Sequence, residues 1–209
     1  MLHSLHFLLV MILLADSVWC QLLQVDFAKD FGAIPNDDSL STKDHNRDAL
    51  SYALNQHESW ETLVIGNETF FLHHGVFAKN MQDVVIRVDG TLRFERNFSE
   101  NVYKDQQDPS WKRPTPCLQF VQCRNITITS NSSPHRGTIH GSGWQYWGIP
   151  LLGYLQVVEH RPVLLQVNDT QDFLMEHVLF RDAPYWTVWL ENVNRAEVRH
   201  ISIINRRTT

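Results

Sequence analysis

An internal repeat near the C-terminal end constrains this chain more than any other feature. Phe173, Met175, Val178 and Phe180 are apolar and change parity across His177, and Ala196, Val198, Ile201 and Ile203 repeat that pattern 23 positions later, with His200 in the place of His177. Asp182 is likewise followed by Asn205. A unit of this length, built of short strands that switch face at polar corners, cannot bury its inward residues alone. Stacked copies can, if each strand pairs in register with its copy one period away. The pattern predicts a parallel β-helix. Val84/Ile86 and Ile126/Ile128 open similar segments displaced by 42 and then 47 residues, each close to two periods. An antiparallel sandwich also has many short strands. It explains neither the matched offset nor the scarcity of tight Asn-Gly or Asp-Gly hairpins. The one exception, Asp89-Gly90, reads as a coil corner.

Upstream, Asp44 to Glu58 is the best helix candidate, with Ala49, Leu50, Ala53 and Leu54 on one face and Asp44 or Asn46 able to cap it. After it the helical period largely gives way to short β-rich pieces, interrupted by polar or aromatic loops at 95–116 and 144–160.

At the N-terminus, Phe7 to Ala15 form an apolar run of nine, followed by Ser17-Val18-Trp19-Cys20. That run is the size of a signal-peptide core and too short to span a bilayer. Residues 1–20 are read as a signal peptide, cut after Cys20, and 21–209 as one domain. Five sequons fit a secretory route: Asn67, Asn97, Asn125, Asn131 and Asn168. Asn97, in a polar loop, is expected to be the most accessible, and Asn125, against a strand, the least. A formal charge of −5 with 20% charged residues gives a basic nucleic-acid-binding surface little support. Cys117 and Cys123 would remain after cleavage. On an intervening strand they lie about 20 Å apart, against the roughly 4.4 to 6.8 Å of a disulfide. Unless a turn intervenes, they are expected as packed, reduced thiols.

Several stretches, in order, resemble one family. Lys29-Asp30-Phe31-Gly32-Ala33, Asn36-Asp37-Asp38 and Asn46 to Leu54 are similar to the opening of polygalacturonase-like proteins. Val88-Asp89-Gly90-Thr91-Leu92 resembles their "DGTL" segment, and Gly137 to Trp147 their "GTIDGxGxxWW" stretch, with His140 where Asp is usual. Arg161-Pro162-Val163-Leu164 and Ala183-Pro184-Tyr185-Trp186-Thr187 resemble the "RP…SPxWT" pair. The resemblance is to glycoside hydrolase family 28, of the pectin lyase-like superfamily. It implies an all-β, right-handed parallel β-helix with a short N-terminal capping helix, incomplete at its C-terminal end. It also implies metal-independent, inverting hydrolysis of galacturonan-type polysaccharide. The family's "NTD", "GHG" and "RIK" motifs are absent, so no catalytic residue carries over.

Nor do the residues present assemble another site. Asp37-Asp38 sits in a Pro/Asn-rich turn, where Asp bonds locally, and is read as a turn or cap. His177 and His200 are read as a structural stack one coil apart, and His73-His74 alternate faces and cannot chelate together. Trp144, Tyr146 and Trp147 could stack on sugars but are read as packing in the outer wall. Asn125, Asn168, Asn194 and Asn205 fall near corners and suggest side-chain ladders. No cofactor and no metal site is expected. The expected function is the scaffold part of a secreted, extracellular polygalacturonase-like glycosidase, inactive as it stands, with pectic polysaccharide as partner. No nucleic acid and, after signal cleavage, no membrane span is expected. The alternatives are a non-catalytic β-helix binding polysaccharide or a cell-surface partner, and, with less support, a calcium-dependent lyase on the same fold.

Overall fold

A computed structural model describes residues 24–97, 114–131, 137–147 and 161–206. The proposed signal peptide, 1–20, lies outside the described residues. Among the described residues, fifteen short strands form three parallel sheets. Sheet A contains β1 (Gln24–Asp26), β2 (Thr62–Ile65), β5 (Gln82–Val88), β8 (Arg124–Thr129), β11 (Gln171–Glu176) and β14 (Asn194–Arg199). Sheet B contains β3 (Thr69–His73), β6 (Thr91–Glu95), β9 (Thr138–His140), β12 (Leu179–Arg181) and β15 (Ser202–Ile204). Sheet C contains β4 (Val76–Lys79), β7 (Leu118–Val121), β10 (Leu165–Asn168) and β13 (Val188–Glu191). The chain visits A, B and C in turn, and each strand pairs with its counterpart one coil away. This is a parallel β-helix.

The register fixes the coil length. Phe173 pairs with Ala196, Met175 with Val198 and Phe180 with Ile203, all at the 23-residue offset. The offsets of 42 and 47 are each one coil, not two: Val84 pairs directly with Ile126, and Ile126 with Phe173. The surplus sits where the chain passes from sheet B to sheet C. That passage takes residues 96–117 after β6 and 141–164 after β9, but only 182–187 after β12. An insertion there lengthens the period without disturbing the strands it joins.

The corners are made by a left-handed residue in each coil. Asn80, Gln122, Asp169 and Asn192 occupy it at the C-to-A corner, and Asp83, Asn125, Asp172 and Arg195 just inside sheet A. Asn and Asp tolerate this conformation best because their side chains bond locally. The expected ladders form here, but with mixed partners. Asn125 donates to Asp83 (2.8 Å), Asn192 to Asp169 (2.7 Å), and Arg195 pairs with Asp172. Asn168 reaches Glu191 (3.0 Å), and Asn205 accepts from the Ala183 N–H (2.9 Å). His177 and His200, also left-handed, stack with ring centroids 5.2 Å apart and planes within 7°. The Asp89-Gly90 corner stacks directly on the corner below it. A Cβ at Gly90 would come within 2.0 Å of the Gly66 carbonyl oxygen, so no side chain fits.

The first coil is closed by α1 (Phe27–Phe31) and α2 (Leu40–Asn55). Helix α2 starts four residues earlier than the hydrophobic pattern implies, because Ser39 is its cap: its Oγ accepts from the Thr42 N–H. Asp37 supports that cap, accepting from the Ser39 N–H (2.9 Å) and the Thr42 hydroxyl (2.7 Å), which hold its carboxyl below the usual range. Asp44 and Asn46 are therefore interior. Asn46 is fully buried and bonds both the N–H and carbonyl of Ile34 (2.8 and 2.9 Å) and the carbonyl of Phe71 (3.0 Å). One side chain thus ties helix, loop and sheet together.

The core runs up the axis in columns, such as Val84–Ile126–Phe173 and Leu92–Ile139–Phe180. Cys117 and Cys123 are separate buried thiols flanking β7, and burial pushes both thiols up. The second copy of the repeat points inward without being buried. Met175 and Phe180 are 1% and 0% exposed, while Val198 and Ile203, one coil on, are 45% and 51% exposed. Ala196 is exposed as well. Burial needs a coil on both sides, and among the described strands β14 and β15 are the last of their sheets. Asn97 also departs from expectation, being only 7% exposed. Met175→Asp should cost about 4 kcal/mol or more by burying an unpaired charge, and Glu176→Ala on the outer surface about 1 or less. Equal thermal melts would show the register to be wrong.

Candidate functional site

The outward face of sheet B gathers residues that are far apart in sequence. Phe70, Leu92, Ile139 and Phe180 point into the core, so alternation turns Phe71, Arg93, His140 and Arg181 outward. These four lie in register on consecutive strands. Arg93 reaches over the Phe71 ring at 5.4 Å. Both long B-to-C passages leave from the ends of these strands, after Glu95 and after His140.

At the cap end of the row the charges are paired. Glu95 accepts from Lys43 of α2 at 2.7 Å, with both side chains about a tenth exposed, and from Arg93 at 3.1 Å. Beside it His73 is covered by Asp44, whose Oδ1 lies 2.8 Å from Nδ1. The helical segment that sequence reading marked as a cap thus also closes one end of this face. His74, just past the end of β3, is also buried.

Further along, His140 is set by its own turn. Its Nδ1 accepts from the Ser142 N–H (2.9 Å), which places the proton on Nε2, 3.4 Å from Asp182 of the next coil. Burial, helped by Arg93 and Arg181, holds the imidazole below its ordinary pKa, with Asp182 and Glu95 opposing. It is therefore neutral at physiological pH. Ser142, His140 and Asp182 mimic a nucleophilic triad in composition only. Ser142 is fully buried, and the nitrogen nearest its Oγ is already taken by its own main-chain N–H.

Among the described residues the carboxylates beside the row Arg93–His140–Arg181 are Glu95 and Asp182, and neither is placed as a free acid or base. Glu95 is spent on Lys43 and Arg93. Asp182 faces His140 and Arg181 (3.4 Å) and accepts from the Arg206 N–H (3.0 Å). An inverting pair needs one carboxyl to protonate the leaving group and another to activate water. What this face offers is two guanidiniums on either side of a neutral imidazole.

The other sequence candidates lie elsewhere. Tyr146 is buried under Arg96 and Trp147 packs on Gly143 while donating to the Ala183 carbonyl (3.2 Å), as wall residues would. Trp144 is instead 57% exposed. Among the described residues no three His, Cys, Asp or Glu converge on one point, and no helix is long and apolar enough to cross a membrane. Of the sequons, Asn67 and Asn131 are exposed, whereas Asn125 and Asn168 use their side-chain amides in the corner ladders. Arg93 and Glu95 of β6 and Arg181 of β12 gave no signal in the sequence, since charges alternating with apolar residues mark only an outward strand face.

No protein-family model and no curated protein matches the chain. Among solved structures it is similar to a candidate glycosyl hydrolase from Parabacteroides merdae ATCC 43184, with a TM-score of 0.59 and 14% identity over 87% of this chain and 74% of that one. An iota-carrageenase complexed to iota-carrageenan fragments overlaps 87% of this chain and 38% of its own, at 15% identity and a TM-score of 0.49. The first similarity shows that the two chains share a fold.

Lys43→Met should cost about 3 kcal/mol, because it strips a buried carboxylate of its closest cation. Adding Glu95→Met should recover a large part of that loss. Costs that simply add, within about 0.5 kcal/mol in a thermal-melt cycle, would mean the pair is not coupled.

Proposed function

We propose that this chain is a secreted, polygalacturonase-like β-helix that binds galacturonan-type polysaccharide on the outward face of sheet B. It supplies the binding surface of a glycosidase and not its acid–base pair. The observation that carries this reading is the in-register row Arg93–His140–Arg181. Strand spacing sets the backbones of the two arginines about 10 Å apart. Galacturonan bears a carboxylate on every sugar, and guanidinium binds carboxylate in a planar, two-bonded geometry that other cations do not reproduce. The neutral imidazole between them adds a hydrogen-bonding group without adding charge.

Secretion is part of the proposal. Its support is the apolar run Phe7–Ala15 ahead of Cys20 and the exposed sequon at Asn67.

The test is affinity electrophoresis in polygalacturonate gels, with release of reducing ends measured on the same samples. The wild-type chain should be retarded, less so at high salt, and should release none. Arg93→Ala combined with Arg181→Ala should weaken binding about tenfold, with Lys43 still holding Glu95. Unchanged retardation of the double variant would refute the site. Turnover lost on Asp182→Asn would refute the division between binding and catalysis.

A further inference from the structure

The two ends of the coil are built differently. Around the first coil, side-chain amides and loop backbone occupy the strand edges. Asn36 exchanges bonds with the backbone of Thr69 in β3 (2.7 and 3.2 Å), while Asn46 donates to the Phe71 carbonyl and Asn55 to that of Phe77 in β4 (3.0 and 2.9 Å). At the other end β13, β14 and β15 are, among the described strands, the last of their sheets. The inward residues there are all apolar: Val188, Leu190, Ala196, Val198, Ile201 and Ile203. Leu190, Val198 and Ile203 are 36%, 45% and 51% exposed, whereas Val167, Met175 and Phe180, their counterparts one coil back, are 1% exposed or less. A strand edge over an apolar cross-section is matched best by another strand.

Two copies cannot stack head to tail, because the incoming end is the one that α1 and α2 cover. The open end must therefore meet its own copy, and a contact of like with like is two-fold and closed. Under that symmetry β14 runs antiparallel to its counterpart, and the charges on its outward face choose the register. Arg195, Glu197 and Arg199 alternate along that face. An axis through Glu197 would set Glu against Glu and Arg against Arg, which is unfavourable. An axis through Ala196 would lean on Arg195, which is left-handed and interrupts the strand. An axis through Val198 closes that residue on itself and sets Glu197 against Arg199 of the second copy, twice over. Arg199 is already fixed on this face, bonded to Glu176 at 2.7 Å and to Glu197 at 2.6 Å. The same axis lays β13 over β15 of the second copy, so that Val188 and Leu190 meet Ile201 and Ile203.

We propose that two copies of this chain join end to end through β13, β14 and β15, as a closed antiparallel dimer centred on Val198. A strand from an unrelated protein would have to supply the complementary order of charges, whereas a second copy has it by symmetry. The proposal is independent of the sheet B reading, since Arg93, His140 and Arg181 lie on a different face.

The test is sedimentation equilibrium of the full chain over a dilution series. A mass rising with concentration to that of two chains is expected. Val198→Lys, at a position already half exposed, should weaken association about tenfold or more. Glu197→Arg sets four arginines across the contact and Arg199→Glu four glutamates, so each alone should weaken it about tenfold. An equal mixture of those two variants should restore it, because Arg then faces Glu at both places. Damage to folding would not be repaired by mixing, so the mixture decides if Val198→Lys fails to fold. The mass of one chain at every concentration overturns the proposal, and so does a mass that grows beyond two chains. A dimer that tolerates Val198→Lys and both charge variants places the contact elsewhere and overturns it, as do charge variants that stay apart when mixed. Arg93→Ala combined with Arg181→Ala should leave the dimer intact, and its loss there would move the contact to sheet B and overturn the assignment.

Discussion

Everything in this molecule depends on one constraint: a residue on a parallel coil is buried only by its counterparts directly above and below. Hydrogen bonds between strands run along the axis, so the partner of every strand lies one coil away, never in a neighbouring hairpin. Met175 is closed off because Ile128 lies on one side and Val198 on the other. Val198 has the same register position and half its surface exposed, because among the described residues it has a neighbour on one side only. Stability in such a stack is a sum of neighbour terms, which is why α1 and α2 close the first coil.

The same constraint creates the outward rows of side chains. Stacking in register turns one outward residue per coil into a row about 4.8 Å apart. On sheet B that row is basic, and on sheet C Phe77, Gln119, Gln166 and Trp189 make it aromatic and amide. Neither exists in any single coil. The coil-to-coil step is a natural ruler for an extended polymer, and the proposed galacturonan site would use the step along sheet B.

Much of the fold was legible, and the failures have physical causes. The repeat from Phe173 to Ile203 could be read because only six residues separate β12 from β13. Upstream, insertions of about a coil's length after β6 and β9 imitated an extra period, and only pairing distinguishes the two cases. Strands β1, β4 and β9 hold three or four residues, too few to show alternation. The corners announced themselves where Asn or Asp took the left-handed conformation, but not at Gln122 or Arg195, which disfavour it. Arg195 is held there by Asp172, a partner 23 residues away. The candidate site was the least legible part. His140 stood out as a replacement for Asp, yet its partners Arg93 and Asp182 lie more than forty residues away in either direction and meet it only through the register.

The central claim, that offsets of 42 and 47 residues are each a single coil, is open to direct measurement. Val85, Thr127, Leu174 and Glu197 form one outward column on sheet A. Spin labels placed by Val85→Cys and Glu197→Cys, with Cys117 and Cys123 buried and inert to labelling, report the number of coils between them by pulsed electron resonance. Three coil steps predict a backbone separation of about 14 Å. A separation of about 24 Å, five steps, would restore the two-period reading and dissolve both outward rows.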